Sequence, residues 1–176
     1  MKKYELTSET KECNGAVLHR IRAVSSFGRV SRGELGGWVE KEGNLSHNGN
    51  AWVSGNALVS GNALVSGDAW VYGDARVSGD ARVYGDAWVY GDARVSGHED
   101  LMVVQGIGSE NGTLTVFRSA NAAVSVTRGC FVGPLDAFKR AVDERHGDSI
   151  HGEVYRAVIR VIELRFALEG GKGDTQ

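Results

Sequence analysis

Five histidines are the residues of this chain best suited to metal binding or proton transfer: His19, His47, His98, His146 and His151. A zinc site that performs chemistry needs three protein ligands that project together. None of the five lies inside the regular repeat described below, and the Gly147-Asp148-Ser149 segment between the last two predicts a break between helices. We therefore expect solvent-facing loop histidines, with no metal site and no catalytic role.

Cys130 follows Arg128 by two positions in the segment TRGCF, and a neighbouring cation favours the reactive thiolate form of a cysteine. A nucleophilic cysteine also needs a general base, and no histidine lies near it in the sequence. A single cysteine between apolar elements is typical of a small buried residue. We expect no catalytic residue and no cofactor here, and Cys13 is too distant in the sequence to predict a disulfide.

The strongest pattern is a phrase of six residues that repeats through residues 51–96, as AWVSGN, ALVSGN, AWVYGD or ARVSGD. Ala and Val, two positions apart, point to the same face of a short strand. Gly followed by Asn or Asp predicts a turn. Self-similarity at a short fixed period predicts a solenoid.

The phrase resembles the hexapeptide repeat of left-handed parallel β-helices, in which three hexads form one triangular coil. The left-handed winding is implied by that resemblance. Residues 18 apart would then stack at the strand spacing of about 4.8 Å. The expected inward columns are Val53/Val71/Val89, Val59/Val77/Val95 and Val65/Val83/Leu101, with alanines beside them.

The outward positions vary, so they carry the candidate binding residues. One wall of the prism would carry Trp52, Trp70, Trp88, Tyr72 and Tyr90; the other two would carry Leu58, Arg76 and Arg94, and Leu64, Arg82 and Tyr84. An exposed apolar surface of this size marks a contact site. Three alternatives remain for the aromatic wall: cover by the chain's own C-terminal helices, a subunit interface, or a ligand bound by stacking.

Four segments follow from these patterns: an N-terminal β-hairpin cap at 1–34, the β-helix at 35–104, a C-terminal module at 105–169 and a disordered tail at 170–176. The hairpin is expected as strands 4–13 and 16–24 around Asn14-Gly15.

Residues 35–50 are expected to form a degenerate first coil in the same register of 18 residues. This register places Leu35 before Val53 and Leu45 before Ala63, and it puts Lys41 and His47 where Val is expected. Trp38 is expected to pack under the hairpin.

The C-terminal module is expected to contain strands 113–118 and 123–128, a helix from Pro134 to about 145 and a last helix from about 150 to 168. Residues 101–104 are expected to form a last irregular strand of the β-helix. The last helix is predicted to bury Val154, Tyr155, Val158, Ile159, Val161 and Ile162.

The flanks also resemble known proteins. The entry segment, with GELGGWVEKEGNLSHNGNAWV, is similar to the start of hexapeptide-repeat proteins of bacteriophages and prophages, and GIGSENGTLTVFR with TRGCFVGPLDAFKRAVDERHGDS is similar to a small C-terminal module of such proteins. The resemblance implies a phage or prophage origin, and it brings no catalytic motif to these residues. Hexapeptide acyltransferases resemble one another in a loop that leaves the prism and in a histidine base, whereas this repeat has no insertion.

We therefore expect a non-enzymatic oligomer, a homotrimer with a dimer as the alternative, that inhibits a host anti-phage defence protein by occlusion. The alternatives are a virion-associated or scaffolding protein, and an acyltransferase-like enzyme with its site at a subunit boundary. The net charge of -2 does not favour nucleic acid, no segment has the length of a membrane span, and a cytoplasmic location in a bacterial host is expected.

Overall fold

A computed structural model describes residues 2–170, with the backbone alone for residues 168–170. The chain divides into two compact units, Met1–His98 and Glu99–Gln176. The fold is mainly β, with a β-solenoid of about three turns in the first unit and a module with two helices in the second. The predicted disordered tail lies outside the described residues, apart from Gly170 at the end of the last helix.

The predicted N-terminal hairpin is present as β1 (Tyr4–Cys13) and β2 (Ala16–Ala23). Asn14 and Gly15 both have positive φ, 51° and 80°, as a two-residue hairpin turn requires. β2 pairs antiparallel with β3 (Leu35–Val39), and β3 pairs parallel with a solenoid strand. The hairpin therefore extends one wall of the solenoid and covers the open edge of that wall.

The solenoid strands are two residues long: β4 (Trp52–Val53), β5 (Leu58–Val59), β6 (Leu64–Val65), β7 (Trp70–Val71), β8 (Arg76–Val77), β9 (Arg82–Val83), β10 (Trp88–Val89) and β11 (Arg94–Val95). They form three walls, with strand orders β3-β5-β8-β11, β4-β7-β10 and β6-β9. Val53, Val71 and Val89 pair in register, as do Val59, Val77 and Val95, so the predicted stacking of residues 18 apart is confirmed.

Backbone hydrogen bonds join each coil to the next. The Ser54 amide donates to the Val71 carbonyl over 2.9 Å, and the Asn56 amide donates to the Gly73 carbonyl over 3.0 Å. The inward alanines and valines of the repeat are almost wholly buried. At the corners, the Asn56 side-chain amide donates to Asp74, 18 residues later, and Asn50 and Asn62 repeat this contact. The coil is thus stabilised by its neighbours rather than by contacts within a hexad.

The register expected for the first coil is wrong by two residues. Val39 pairs with Val59 and Leu45 with Val65, 20 positions later in each case, so Leu45 is not aligned with Ala63. The extra residues lie in the corner after Leu45, because Asn50 already contacts Asp68 at the regular spacing of 18. Val39 and Leu45 therefore fill the inward positions that the shorter register assigned to Lys41 and His47.

The second unit contains four antiparallel strands and two helices: β12 (Leu101–Ile107), β13 (Gly112–Arg118), β14 (Val124–Arg128), β15 (Phe131–Pro134), α1 (Leu135–His146) and α2 (Ile150–Gly170). The hairpin predicted from residues 113–128 is present, but it has a further strand on each side. Residues 101–104 pair antiparallel with β13, and Leu101 lies opposite Phe117. Leu101 therefore belongs to this sheet.

The core of the second unit lies between the sheet and the two helices. Its buried residues are Ile107, Leu114, Val116, Val126, Phe138, Val142, Tyr155, Ile159, Ile162 and Phe166. α1 contributes Phe138 and Val142 to this core. The stripe predicted for α2 is wrong at Val154 and Val161, which are 42% and 50% exposed.

Two glycines of the repeat test how tightly the coils stack. Gly67 and Gly91 have φ of +69° and +67°, so an alanine at either position costs about 1–2 kcal/mol for the left-handed conformation. A Cβ at Gly67 would lie 2.9 Å from the Gly85 amide nitrogen, whereas a Cβ at Gly91 meets nothing within 4 Å.

We expect Gly67→Ala to lower the free energy of unfolding by about 1–3 kcal/mol more than Gly91→Ala, because only the former forces two coils apart. Urea unfolding followed by circular dichroism measures both variants. Equal losses would contradict the stacking distance described here.

Candidate functional site

One wall of the solenoid carries a column of aromatic side chains, which we call the aromatic column: Trp52, Trp70, Trp88, Tyr72 and Tyr90. The three tryptophans pair in register across β4, β7 and β10, as the repeat predicted. The indoles therefore repeat at the strand spacing along one flat wall.

The aromatic column is closed at one end. Trp52 is fully buried, because the Tyr4 and Phe27 rings contact it edge-on at centroid distances of 6.4 and 5.5 Å. Trp70 and Trp88 are only half-buried. Trp52 is therefore part of the fold, and the surface available to a partner begins at Trp70.

The tyrosines of the column continue this surface. The Tyr72 ring lies edge-on to Trp88 with 6.2 Å between centroids, and it lies 5.4 Å from the Tyr90 ring. Both tyrosines are half-buried. Burial raises the pKa of Tyr72, and the neighbouring Tyr90 contributes in the same direction.

A groove of about 250 Å³ lies on this wall, lined by Arg29, Ser54, Trp70, Tyr72 and Trp88. The Arg29 guanidinium lies 5.9 Å from the centre of the Trp88 ring, within the range of a cation–π contact. Three of the five lining residues are aromatic, so the groove suits an apolar or aromatic group. The cation at its rim suits a negative charge beside that group.

Lys3 holds the entry segment over the buried end of the column. Its ammonium donates to the Gly49 and Ala51 carbonyls, at 3.1 and 2.9 Å, and lies 4.8 Å from the Phe27 ring centre. The residue is only 5% exposed. Burial lowers the pKa of Lys3 to about 8, although the Asp68 carboxylate opposes the shift.

The other two walls carry the remaining candidate residues. A groove of about 190 Å³ runs between the hairpin tip and the second wall, past Arg76 and Arg94. The Arg94 guanidinium donates to the carbonyls of Asp74, Asp92 and Ala93, so it is held against the backbone, whereas Arg76 is exposed. On the third wall Arg82 is exposed and Tyr84 is 55% exposed. The structure therefore does not bring these residues together with the aromatic column.

His47 has a structural position. Its ring stacks on Tyr4 at 4.4 Å between centroids, its Nδ1 accepts from the Lys3 amide at 3.3 Å, and its Nε2 lies 3.0 Å from a Glu42 carboxylate oxygen. His98 lies in a single 3₁₀ turn after the last coil. Within residues 2–170, no group of three or more His, Cys, Asp or Glu side chains is placed to hold a metal ion.

The expectation that Cys130 is buried is wrong, because its thiol is exposed. It lines a pocket of about 140 Å³ in the second unit together with Arg128, Arg145, His146 and Tyr155. Sequence proximity missed His146, because α1 brings it back to Cys130 from 16 positions further along the chain.

The groups around this pocket are held by structural contacts. The His146 ring stacks on Tyr155 with 5.2 Å between centroids, and Arg128 donates to the Ile107 carbonyl over 2.9 Å. The pocket therefore contains the Cys130 thiol and the His146 imidazole. His146 and Arg128 also make the contacts above, which stabilise the second unit.

Three stretches of the solenoid are similar to the YdcK beta solenoid repeat. They are residues 51–67, 57–73 and 75–91, each nearly as long as one coil. Together with the coil geometry, this similarity identifies a β-solenoid repeat protein. It does not extend to either flank. A comparison of the chain with curated proteins finds no match. Neither helix in the described part of the chain has the length and hydropathy that a membrane crossing requires.

The lowered pKa of Lys3 predicts a pH dependence of stability. Between about pH 8 and the ordinary lysine pKa of 10.5, the unfolded chain binds a proton that the folded chain has released. Stability therefore rises with pH in this window, and below about pH 8 the full cost of burying the charge is present.

We expect wild type to gain unfolding free energy relative to Lys3→Met between about pH 7.5 and about pH 9.5, by at most about 1.4 kcal/mol per pH unit. Burial also raises the pKa of Tyr4. Above the ordinary tyrosine pKa of 10.0 the unfolded chain would lose a proton that the folded chain keeps, which lowers stability, so the upper pH of the comparison stays below that value. Urea titrations at the two pH values measure the difference, and parallel changes in both proteins would contradict it.

Proposed function

We propose that this chain is a binding protein whose aromatic column, from Trp70 to Tyr90, docks against another protein. The observation that carries the proposal is the groove beside Trp70, Tyr72 and Trp88, with Arg29 at its rim. Trp, Tyr and Arg are the residues most enriched at the centres of protein interfaces. The surface contains three of these residue types within one patch.

The shape of the wall supports a protein partner over a small ligand. Parallel strands of two residues make a flat surface, and Trp70 and Trp88 are each only half-buried within it. A small ligand is ordinarily enclosed over most of its surface. A partner protein can instead cover the whole wall and insert one apolar side chain into the groove. An acidic residue of the partner would then lie near Arg29.

The finer proposal is that the partner is a host protein and that the chain is a phage-derived inhibitor acting by occlusion. It is supported by the resemblance of the entry segment and of the C-terminal module to phage and prophage proteins. A rigid solenoid that binds through one wall is suited to covering a partner's surface without catalysing a reaction. On the same argument we expect the chain to act in the cytoplasm of the host. The alternative is that the chain itself is a virion-associated or scaffolding protein.

The repeat itself supplies a matched pair of variants for the test. Tyr72 and Tyr84 occupy the same position of the hexad, and other hexads have Ser at that position. Tyr72 lies in the aromatic column, whereas Tyr84 lies on the third wall and is 55% exposed. Both changes to Ser should therefore leave the coil intact.

We expect Tyr72→Ser to weaken partner binding by at least about tenfold and Tyr84→Ser by less than about twofold, as for central and peripheral interface residues. The partner would be isolated by a tagged pull-down from phage-infected cells at moderate salt, identified by mass spectrometry and titrated by calorimetry. Equal effects of the two variants would contradict the proposal. Detection of the chain itself in purified phage particles would favour the virion-associated alternative.

A further inference from the structure

Helix α2 has a second apolar face that points away from the core of its unit. Ile150, Val154, Val161 and Leu164 are 67%, 42%, 50% and 48% exposed, and Ala157 between them is also exposed. We call these five residues the outer stripe. The opposite side of the same helix supplies Tyr155, Ile159, Ile162 and Phe166 to the core.

The spacing of the outer stripe is that of a coiled-coil seam. Its positions 150, 154, 157, 161 and 164 are separated alternately by four and three residues. This alternation keeps apolar side chains on one line, where they insert between side chains of a second helix. The stripe covers about 21 Å of helix at 1.5 Å per residue. It is therefore long enough to pair with another helix over several layers.

The charges beside the stripe indicate which partner helix fits it and in which direction that helix runs. Glu153 and Arg160 lie on the same flank, seven residues apart, and both are exposed. Arg160 has only a loose contact of 3.5 Å with Glu163, which is itself held by Lys139 at 2.8 Å. Arg160 can therefore turn towards a partner helix at little cost.

A second copy of α2 running antiparallel complements these charges. Packing Val154 against the partner's Ala157, and Ile150 against the partner's Val161, sets Glu153 beside the partner's Arg160. The two-fold axis repeats that ion pair between Arg160 and the partner's Glu153, on the other side of the axis. A parallel pair would instead set Arg160 near the partner's Arg165, which repels it.

We propose that two copies of this chain associate through the outer stripes of their α2 helices, paired antiparallel. The small Ala157 lies in the two central layers, where it lets the helices approach closely. A single helix pair buries less than the roughly 1,200 Å² of a standard interface, so the dimer should be weak unless other surfaces add to it. The assembly is a dimer, whereas the resemblance of the repeat favoured a trimer. This inference does not depend on the proposed function of the aromatic column.

A charge-reversal cycle tests both the pairing and its direction. Glu153→Arg or Arg160→Glu alone sets like charges together twice per dimer, and we expect each to raise the dimer dissociation constant by at least about tenfold. Glu153→Arg combined with Arg160→Glu restores opposite charges and should restore the dissociation constant to within about threefold of wild type. Sedimentation equilibrium over a range of protein concentrations measures all four proteins.

Two controls separate the outer stripe from other surfaces. Glu144→Arg changes the same charge at an exposed position of α1 and should leave the dissociation constant unchanged. Val161→Gln should dissociate the dimer while circular dichroism shows an unchanged fold, because the side chain is already half exposed.

A monomer at every concentration, a trimer, or a dimer that responds to Tyr72→Ser but not to the single charge reversals would overturn the proposal. So would failure of the double reversal to restore association after both single reversals had abolished it.

Discussion

The hydrogen bonds between successive coils are the interaction on which the first unit depends. A strand of two residues, such as Val53 with Trp52, makes too few contacts to be stable alone. Each strand is held by the strand of the next coil, and the inward alanines and valines are buried only because those coils stack. Without cover, the first coil would keep its bonds to the next coil but would leave the backbone groups and inward side chains of its outer side without partners.

The entry segment supplies the missing neighbour at that end. The hairpin adds two strands to one wall, while Tyr4, Phe27 and Lys3 enclose Trp52 on another. The buried charge of Lys3 is tolerated because its ammonium donates to the Gly49 and Ala51 carbonyls, which face the end of the wall where no further strand pairs. The same arrangement determines where the aromatic column becomes available, since Trp52 is fully buried whereas Trp70 and Trp88 are only half-buried.

The regular coils could be predicted from the sequence, because one inward Val and one Gly turn in every hexad leave a single consistent register. The first coil could not, because two extra residues after Leu45 lie in a corner, where a longer turn changes no inward residue type. The aromatic column was predictable as a column, but the burial of Trp52 depends on Tyr4 and Phe27, which are far away in the sequence.

The second unit was harder for a related reason. α2 carries apolar residues around most of its circumference, and periodicity alone does not say which face meets the sheet. Val154 was assigned to the core, although it lies on the outer stripe. His146 and Cys130 share a pocket only because α1 turns back over β15, and sequence distance contains no trace of that proximity.

The three-sided coil also makes the chain sensitive to length in a discrete way. Loss or duplication of 18 residues would shorten or lengthen the solenoid by one whole coil and leave every surviving side chain on its own wall. Loss of a single hexad would preserve the inward Ala and Val pattern but rotate everything after it by a third of a turn. Trp88 would then leave Trp70 and face another direction, while the interior would be unchanged. The outward side chains thus keep their walls only when the length changes by a multiple of three hexads, whereas the core pattern survives a change of any whole number of hexads.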